Sequence, residues 1–392
     1  MGGLSMFIFK CGSRNNTDKF ITGQVEKNFI TIFGLRLPVM DTVDVFLREL
    51  PACELEKLKQ ALVRQLVEKR ALDKFRYGGR FIVAVDGTGV YSFDYEPFAG
   101  CPHKTSKNGK TTWQVYVLEA KIVCSNNFSI SLATEWLQNS DNINEKQDCE
   151  QKAFVRLAGK LKKMYPRMAV TIAADSLYPN NTFFNICRKN GWSFILTFKE
   201  GSLKTVWEEV GLLYPLEEKQ NKQTRIKRGK QGKGLVRESA MFINNIPYKK
   251  HGLNWVEYTL CHTGENIPFQ RFVHITDLDV NRQTAWETSF YGRLRWKIEN
   301  EGFNTQKNGG YNLQHKYSRK NTNAMQNYYQ LLQIAHLIVQ LTERLKAVQQ
   351  GMKLSERTTK SLWTDLWATM LKEKIEEGEV YEISGNTRQL RY

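Results

Sequence analysis

Residues 291–311 read YGRLRWKIENEGFNTQKNGGY. The stretch reads as a helix, and it puts Tyr291, Arg295 and Glu299 four residues apart on one stripe. A tyrosine, an arginine and a carboxylate do not make a plain core face. An arginine beside a carboxylate also keeps it ionised, the state in which it ligates a metal. Taken alone, Arg-x-x-x-Glu reads first as a surface ion pair. Two acids upstream bear on that choice.

Asp86 closes the apolar run FIVAVD, with Gly87 after it, and the strand FIVAVDGTGVYSF (81–93) reads as broken at that pair. Asp175 closes a second apolar run, VTIAAD. A carboxylate at such a place is costly to bury unpaired. Either one alone has a bland reading, since Asp-Gly and Asp-Ser are both turn pairs. Two on strands of one sheet, with Glu299 on a later helix, read as convergent oxygen ligands. Hard oxygen donors suit Mg²⁺ or Mn²⁺, and two such ions about 4 Å apart activate water and stabilise a leaving oxygen.

The 392 residues hold 57 Lys and Arg against 40 Asp and Glu, a formal charge of +17. That excess points to a polyanionic partner, most simply nucleic acid. No apolar run is long enough to span a membrane, and the N-terminal stretch lacks the marks of a secretory leader, so a cytoplasmic protein is expected. Seven irregularly spaced cysteines without a C-x-x-C read as reduced thiols, and Cys101-Pro-His103 as a loop.

Five segments follow from the pattern. Residues 1–77 are a helical N-terminal domain. Within it Asp41 caps one helix, and Leu55, Leu58, Leu62 and Leu66 mark a second. It serves as a docking or dimerisation unit, or binds DNA ends. Residues 78–200 give three strands, the last two joined by a short polar turn, then alternating α and β units: a mixed sheet covered by helices. Residues 201–285 are a β-rich insertion. Its run KQNKQTRIKRGKQGKG (219–234), with Lys227, Arg228 and Lys230, is a solvated loop or a phosphate contact. Residues 286–345 return to the core, and 346–392 form a C-terminal helical segment. His336 reads as a satisfied core histidine. Asp94 and Glu96 fall in a turn, and Glu119 and Glu135 on or beside strands. None of these four is expected to bind metal. Glu301 pairs with Lys297.

Arg295-Trp296-Lys297-Ile298-Glu299, VAVDGTGV around Asp86 and TIAADSLY around Asp175 together resemble the DDE transposases of the insertion-sequence type 4 family. The longer gap between the last two acids resembles the place where that family carries its β insertion. Tyr291 and Lys307 each lie one residue too far from the pattern. The resemblance covers roughly residues 78–340. It implies a ribonuclease-H-like α/β core, with Asp86, Asp175 and Glu299 holding two Mg²⁺ ions (Mn²⁺ substituting). It further implies binding of terminal inverted repeats, DNA end cleavage and strand transfer to target DNA. A homodimer in the synaptic complex follows, with no membrane and no small-molecule substrate. Arg295 would orient Glu299 or contact a phosphate, Tyr291 and Lys307 would contact DNA, and Trp255 or Trp207 would stack on a flipped base. The alternatives are a ribonuclease-H-like nuclease that cuts without joining, and a catalytically silent DNA-binding derivative.

Overall fold

The structure is a computed structural model describing residues 1–139, 147–228, 234–264, 268–356 and 358–385. Five helices open the chain: α1 (Gly2–Ile8), α2 (Arg14–Phe20), α3 (Gln24–Phe33), α4 (Met40–Glu49) and α5 (Ala52–Glu68). Asp41 does not cap α4. Val39 takes that place, and Asp41 sits in the first turn, at the positive end of the helix dipole.

Leu55, Leu62 and Leu66 of α5 pack at the edge of the cores, but its fully buried face is turned from that stripe. Leu58 is exposed, whereas Lys59 is 0% exposed. The Lys59 ammonium donates to Ser131 Oγ at 2.8 Å and Thr134 Oγ1 at 3.2 Å. Those hydroxyls, with Tyr329, also donate to Glu119. This network fixes α5 on the sheet, because a buried ammonium is tolerable only when fully partnered.

The sheet strands are β1 (Phe81–Phe93), β2 (His103–Thr105), β3 (Thr111–Val123) and β4 (Ser129–Trp136). After α6 (Glu150–Met164) come β5 (Val170–Ala174), α7 (Asn181–Asn190) and β6 (Ser193–Thr197). β1 is not broken at Asp86-Gly87. It runs through, with Asp86 opposite Glu119 and Gly87 opposite Leu118 of antiparallel β3. β4 pairs antiparallel with β3, while β5 and β6 add in parallel beyond β1. The first helix over this sheet behaves as its spacing predicts: Phe154, Leu157 and Leu161 are buried.

The 201–285 stretch departs from its reading. It begins with an unforeseen helix, α8 (Lys204–Asn221), followed by β7 (Gln223–Arg228), β8 (Leu235–Tyr248), β9 (His251–His262) and β10 (Gln270–Thr276). Most of the basic run is therefore the end of α8 and an edge strand. β10 pairs with β6, so these strands continue the central sheet rather than forming another. The result is one open, mostly antiparallel ten-stranded sheet, ordered β2-β3-β1-β5-β6-β10-β9-β8-β7 with β4 on β3.

After it come α9 (Thr284–Arg293), a π-helical segment (Ile298–Asn304), α10 (Thr305–Asn308), α11 (Thr322–Glu343), α12 (Lys346–Leu354), α13 (Thr359–Lys372) and α14 (Glu377–Gly385). The N-terminal helices share a core with α11, α13 and the distal part of β1, through residues such as Phe7, Phe29, Phe93, Tyr328 and Trp363. Trp367 stacks on Phe20 at 4.1 Å. Among the described residues, no helix is long and apolar enough to cross a membrane.

Two features place residues 292–303 on the sheet. Along β1, side chains alternate between faces. Phe81, Val83 and Val85 join the core with Phe154 and Phe183. Ile82 and Ala84 pack instead with Ala173, Leu294, Ile298 and Phe303. Burying those last three contributes roughly 1.5–3 kcal/mol each and holds residues 294–303 over β1. Gly292 allows the approach of α9: a Cβ there would meet His274 Cδ2 at 2.6 Å and Ile195 Cγ2 at 2.8 Å. Gly292→Ala is therefore expected to lower stability by about 1–3 kcal/mol through overpacking. Urea unfolding measures this, and an unchanged midpoint would contradict the packing described.

Candidate active site

The stretch 291–308 is not one regular helix. α9 ends at Arg293, and a turn leads into the π-helical segment that carries Glu299 and Glu301. Such widened turns are uncommon and concentrate at functional sites. The expected three-residue stripe is accordingly cut in two. Tyr291 leaves it and stacks on Tyr77 at 4.2 Å. Arg295 and Glu299 stay together.

Arg295 is 8% exposed. Its Nη1 donates to Glu299 Oε1 at 2.7 Å and reaches Asp86 Oδ2 at 3.4 Å. One guanidinium thus joins a carboxylate from β1, 209 residues before it in sequence, to one from the π-helical segment. Asp86 follows Ile82 and Ala84 in the strand alternation, so it points to the face this segment covers. Burial pushes its carboxyl up to about 7. The Arg295 charge opposes that shift and the neighbouring Glu299 adds to it. Glu299 is half exposed, and an arriving group can reach it from solvent.

Asp175 follows β5 directly. The parallel register that aligns Ala84 with Ala173 brings it alongside Asp86. Its Oδ1 accepts the Leu177 N–H at 2.9 Å, an aspartate turn of the kind its sequence signals. Among the described residues no three His, Cys, Asp or Glu side chains are gathered at one metal-holding point. In chemistry the donors fit a hard divalent cation: they are carboxylates only, and burial, with Glu299 beside it, already raises the Asp86 carboxyl towards neutral pH.

A further carboxylate lies at this edge of the sheet, and sequence reasoning missed it. Glu150, the first residue of α6, accepts from Tyr116 Oη at 3.0 Å and Tyr178 Oη at 3.4 Å. Burial, then the Asp175 charge, raises its carboxyl, against the Tyr116 hydrogen bond. A Cβ on Gly87 would stand 2.6 Å from Glu150 Oε1. So the glycine after Asp86 makes room for Glu150 and does not make a turn. No local pattern in the sequence marks this, because the partners are tertiary.

The remaining expected residues divide. Glu301 pairs with Lys297 at 3.6 Å, as its spacing predicts. Glu135 pairs with Arg156, and Glu96 accepts the Gly100 N–H. His336 is buried and held well below its usual pKa by burial and the Lys121 charge. Lys307 lies half-buried in α10. Lys227 pairs with the buried carboxylate of Glu238, which Arg225 also contacts at 2.5 Å. Arg228 ends β7, and Lys230 lies outside the described residues.

Trp255 cannot stack on a base from where it stands. It is 1% exposed, within the core beside Trp207 and Tyr214. Its place on a central strand turns it inwards. Trp207 lies flat on Phe198 at 4.9 Å and donates to Lys199 O. Two other indoles are more open to solvent than Trp255. Trp296, next to Arg295, is 48% exposed. Trp286 lies under Arg225 at 4.2 Å, in a cavity of about 820 Å³ that Tyr291 and Arg293 also line. The Arg-Trp pair was a sequence signal for the first; the second carried none.

Compared with known proteins, the chain matches no protein-family model, and no curated protein matches it.

Proposed function

We propose that this chain is a DNA transposase of the insertion-sequence type 4 kind, cutting element ends and joining them to target DNA. The observation that carries the reading is Arg295 reaching both Asp86 and Glu299. The sequence pattern had set these residues apart as two separate motifs. The ribonuclease-H-like reading of the core rests on the run β4-β3-β1-β5-β6, three antiparallel strands followed by two parallel ones.

Asp86, Asp175 and Glu299 would hold Mg²⁺, with Mn²⁺ as a substitute. Such a pair of ions supplies an activated water and neutralises charge on the leaving oxygen. Arg295 fixes the relative position of two of the acids and partly offsets their repulsion until the substrate arrives. Trp296 and the aromatic cavity at Trp286 and Tyr291 offer faces for an unstacked base next to the cut. The excess of positive charge suits a duplex substrate. End recognition or dimerisation falls to the N-terminal helices, and the active form is a homodimer acting in the cytoplasm.

The test uses a labelled duplex carrying the DNA that flanks this reading frame, with a supercoiled plasmid as target. Mg²⁺-dependent nicking followed by joining supports the proposal. Nicking without joining makes the chain a nuclease. Sequence-specific binding without nicking makes it a silent derivative.

A further inference from the structure

Away from the acids, α2, α4 and the loop before α11 enclose a cleft of about 860 Å³. Five cationic side chains line it: Arg14, Arg48, Lys316, Arg319 and Lys320. One carboxylate faces them, Asp44, and it is already engaged. Its Oδ2 accepts from Arg14 at 3.0 Å and from Arg48 at 2.5 Å. Among the described residues no carboxylate pairs with Lys316, Arg319 or Lys320.

The loop carrying these last three is held from beneath. Tyr311, Leu313 and Tyr317 are buried in the core shared with the N-terminal helices. Tyr317 Oη donates to Tyr311 O at 3.1 Å, and its ring stacks on Tyr328 at 5.4 Å. Lys316 sits 4.5 Å over the Phe93 ring. The cations are thus displayed on a fixed frame, which lowers the ordering cost of binding. Burial and then the charges of Arg319 and Arg14 hold His315 below its usual pKa, in keeping with a strongly positive surround.

We infer that this cleft binds the sugar–phosphate backbone of duplex DNA, as a second contact site separate from the carboxylates. A concave wall of arginine and lysine suits a protruding line of phosphates. A membrane surface would be met by a flat patch with exposed apolar anchors, and no exposed large apolar side chain lines this cleft. The inference rests on the proposed function for its ligand class and uses two of the N-terminal helices, but it shares no residue with the carboxylate site, so duplex binding here and nicking there can fail separately.

The test is fluorescence anisotropy of a mixed-sequence duplex against salt, using the full chain. Arg319→Gln with Lys320→Gln is expected to weaken binding roughly ten-fold or more at low salt. The same pair should flatten the slope of log K against log salt by about 0.9 per lost contact. Both side chains are exposed, so thermal unfolding should not change. Lys104→Gln with Lys107→Gln removes the same charge from another exposed surface and should leave affinity and slope near the parent values. An unchanged slope in the Arg319/Lys320 variant overturns the inference. So does an equal loss in the Lys104/Lys107 control, or parent binding to phosphatidylserine vesicles but not to duplex.

Discussion

Glu299→Gln is expected to lower end nicking by about 10²–10³-fold or more, while Glu301→Gln keeps most of it. The two glutamates are two residues apart and both belong to the π-helical segment, so spacing alone does not separate them. Their partners do. Glu299 accepts from Arg295 at 2.7 Å, and that guanidinium also reaches Asp86. Glu301 faces Lys297 at 3.6 Å, a partly exposed pair worth roughly 0.3–0.5 kcal/mol. Both glutamine variants should retain the parent circular dichroism. A dead Glu301→Gln beside an active Glu299→Gln would place the third acid two residues further on.

Asp86→Asn is expected to make the metal-free protein more stable at pH 8, and no more stable at pH 4. In the unfolded chain the Asp86 carboxyl titrates near its ordinary value of about 3.9. In the folded chain burial, with Glu299 beside it, pushes that to about 7. Between these values the folded state binds more protons than the unfolded one. Stability therefore falls as pH rises from about 4 to about 7, and above that the full penalty remains. Three units correspond to about 4 kcal/mol at most, so a gain of roughly 1–4 kcal/mol is expected for the asparagine at pH 8. Urea unfolding at both pH values measures it. Added Mg²⁺ should stabilise the parent more than the variant, because ligand binding to the native state adds to its stability. Equal stability of the two proteins at pH 8 would mean that Asp86 is not under this strain.

What could be read from the sequence was whatever local pattern encodes. Apolar runs ending in aspartate marked β1 and β5, and the Arg295–Glu299 spacing survived a change of helix type because the side chains still meet. The failures have tertiary causes. Gly87 looked like a turn signal, yet its missing Cβ serves the approach of Glu150 from another helix. Leu55, Leu62 and Leu66 of α5 do pack against the cores, but Leu58 is exposed and a fully buried place goes to Lys59, held by a polar network. α8 escaped notice because Pro215, which the helix runs through, reads in sequence as a stop, and its leucines Leu212 and Leu216 stay exposed. Trp255 alternates along a central strand, and nothing local says which face of that strand is covered. The π-helical segment has no compositional mark, so Tyr291 seemed to share a stripe it leaves.

The most direct test is nicking of a labelled duplex carrying the DNA that flanks this reading frame, by the purified parent and by Asp86→Asn, in Mg²⁺ and in EDTA. The account predicts nicks that leave 3′-hydroxyls with the parent in Mg²⁺, none in EDTA, and none with Asp86→Asn although it binds the duplex as well. Nicking by Asp86→Asn at the parent rate, or by the parent in EDTA, would contradict it.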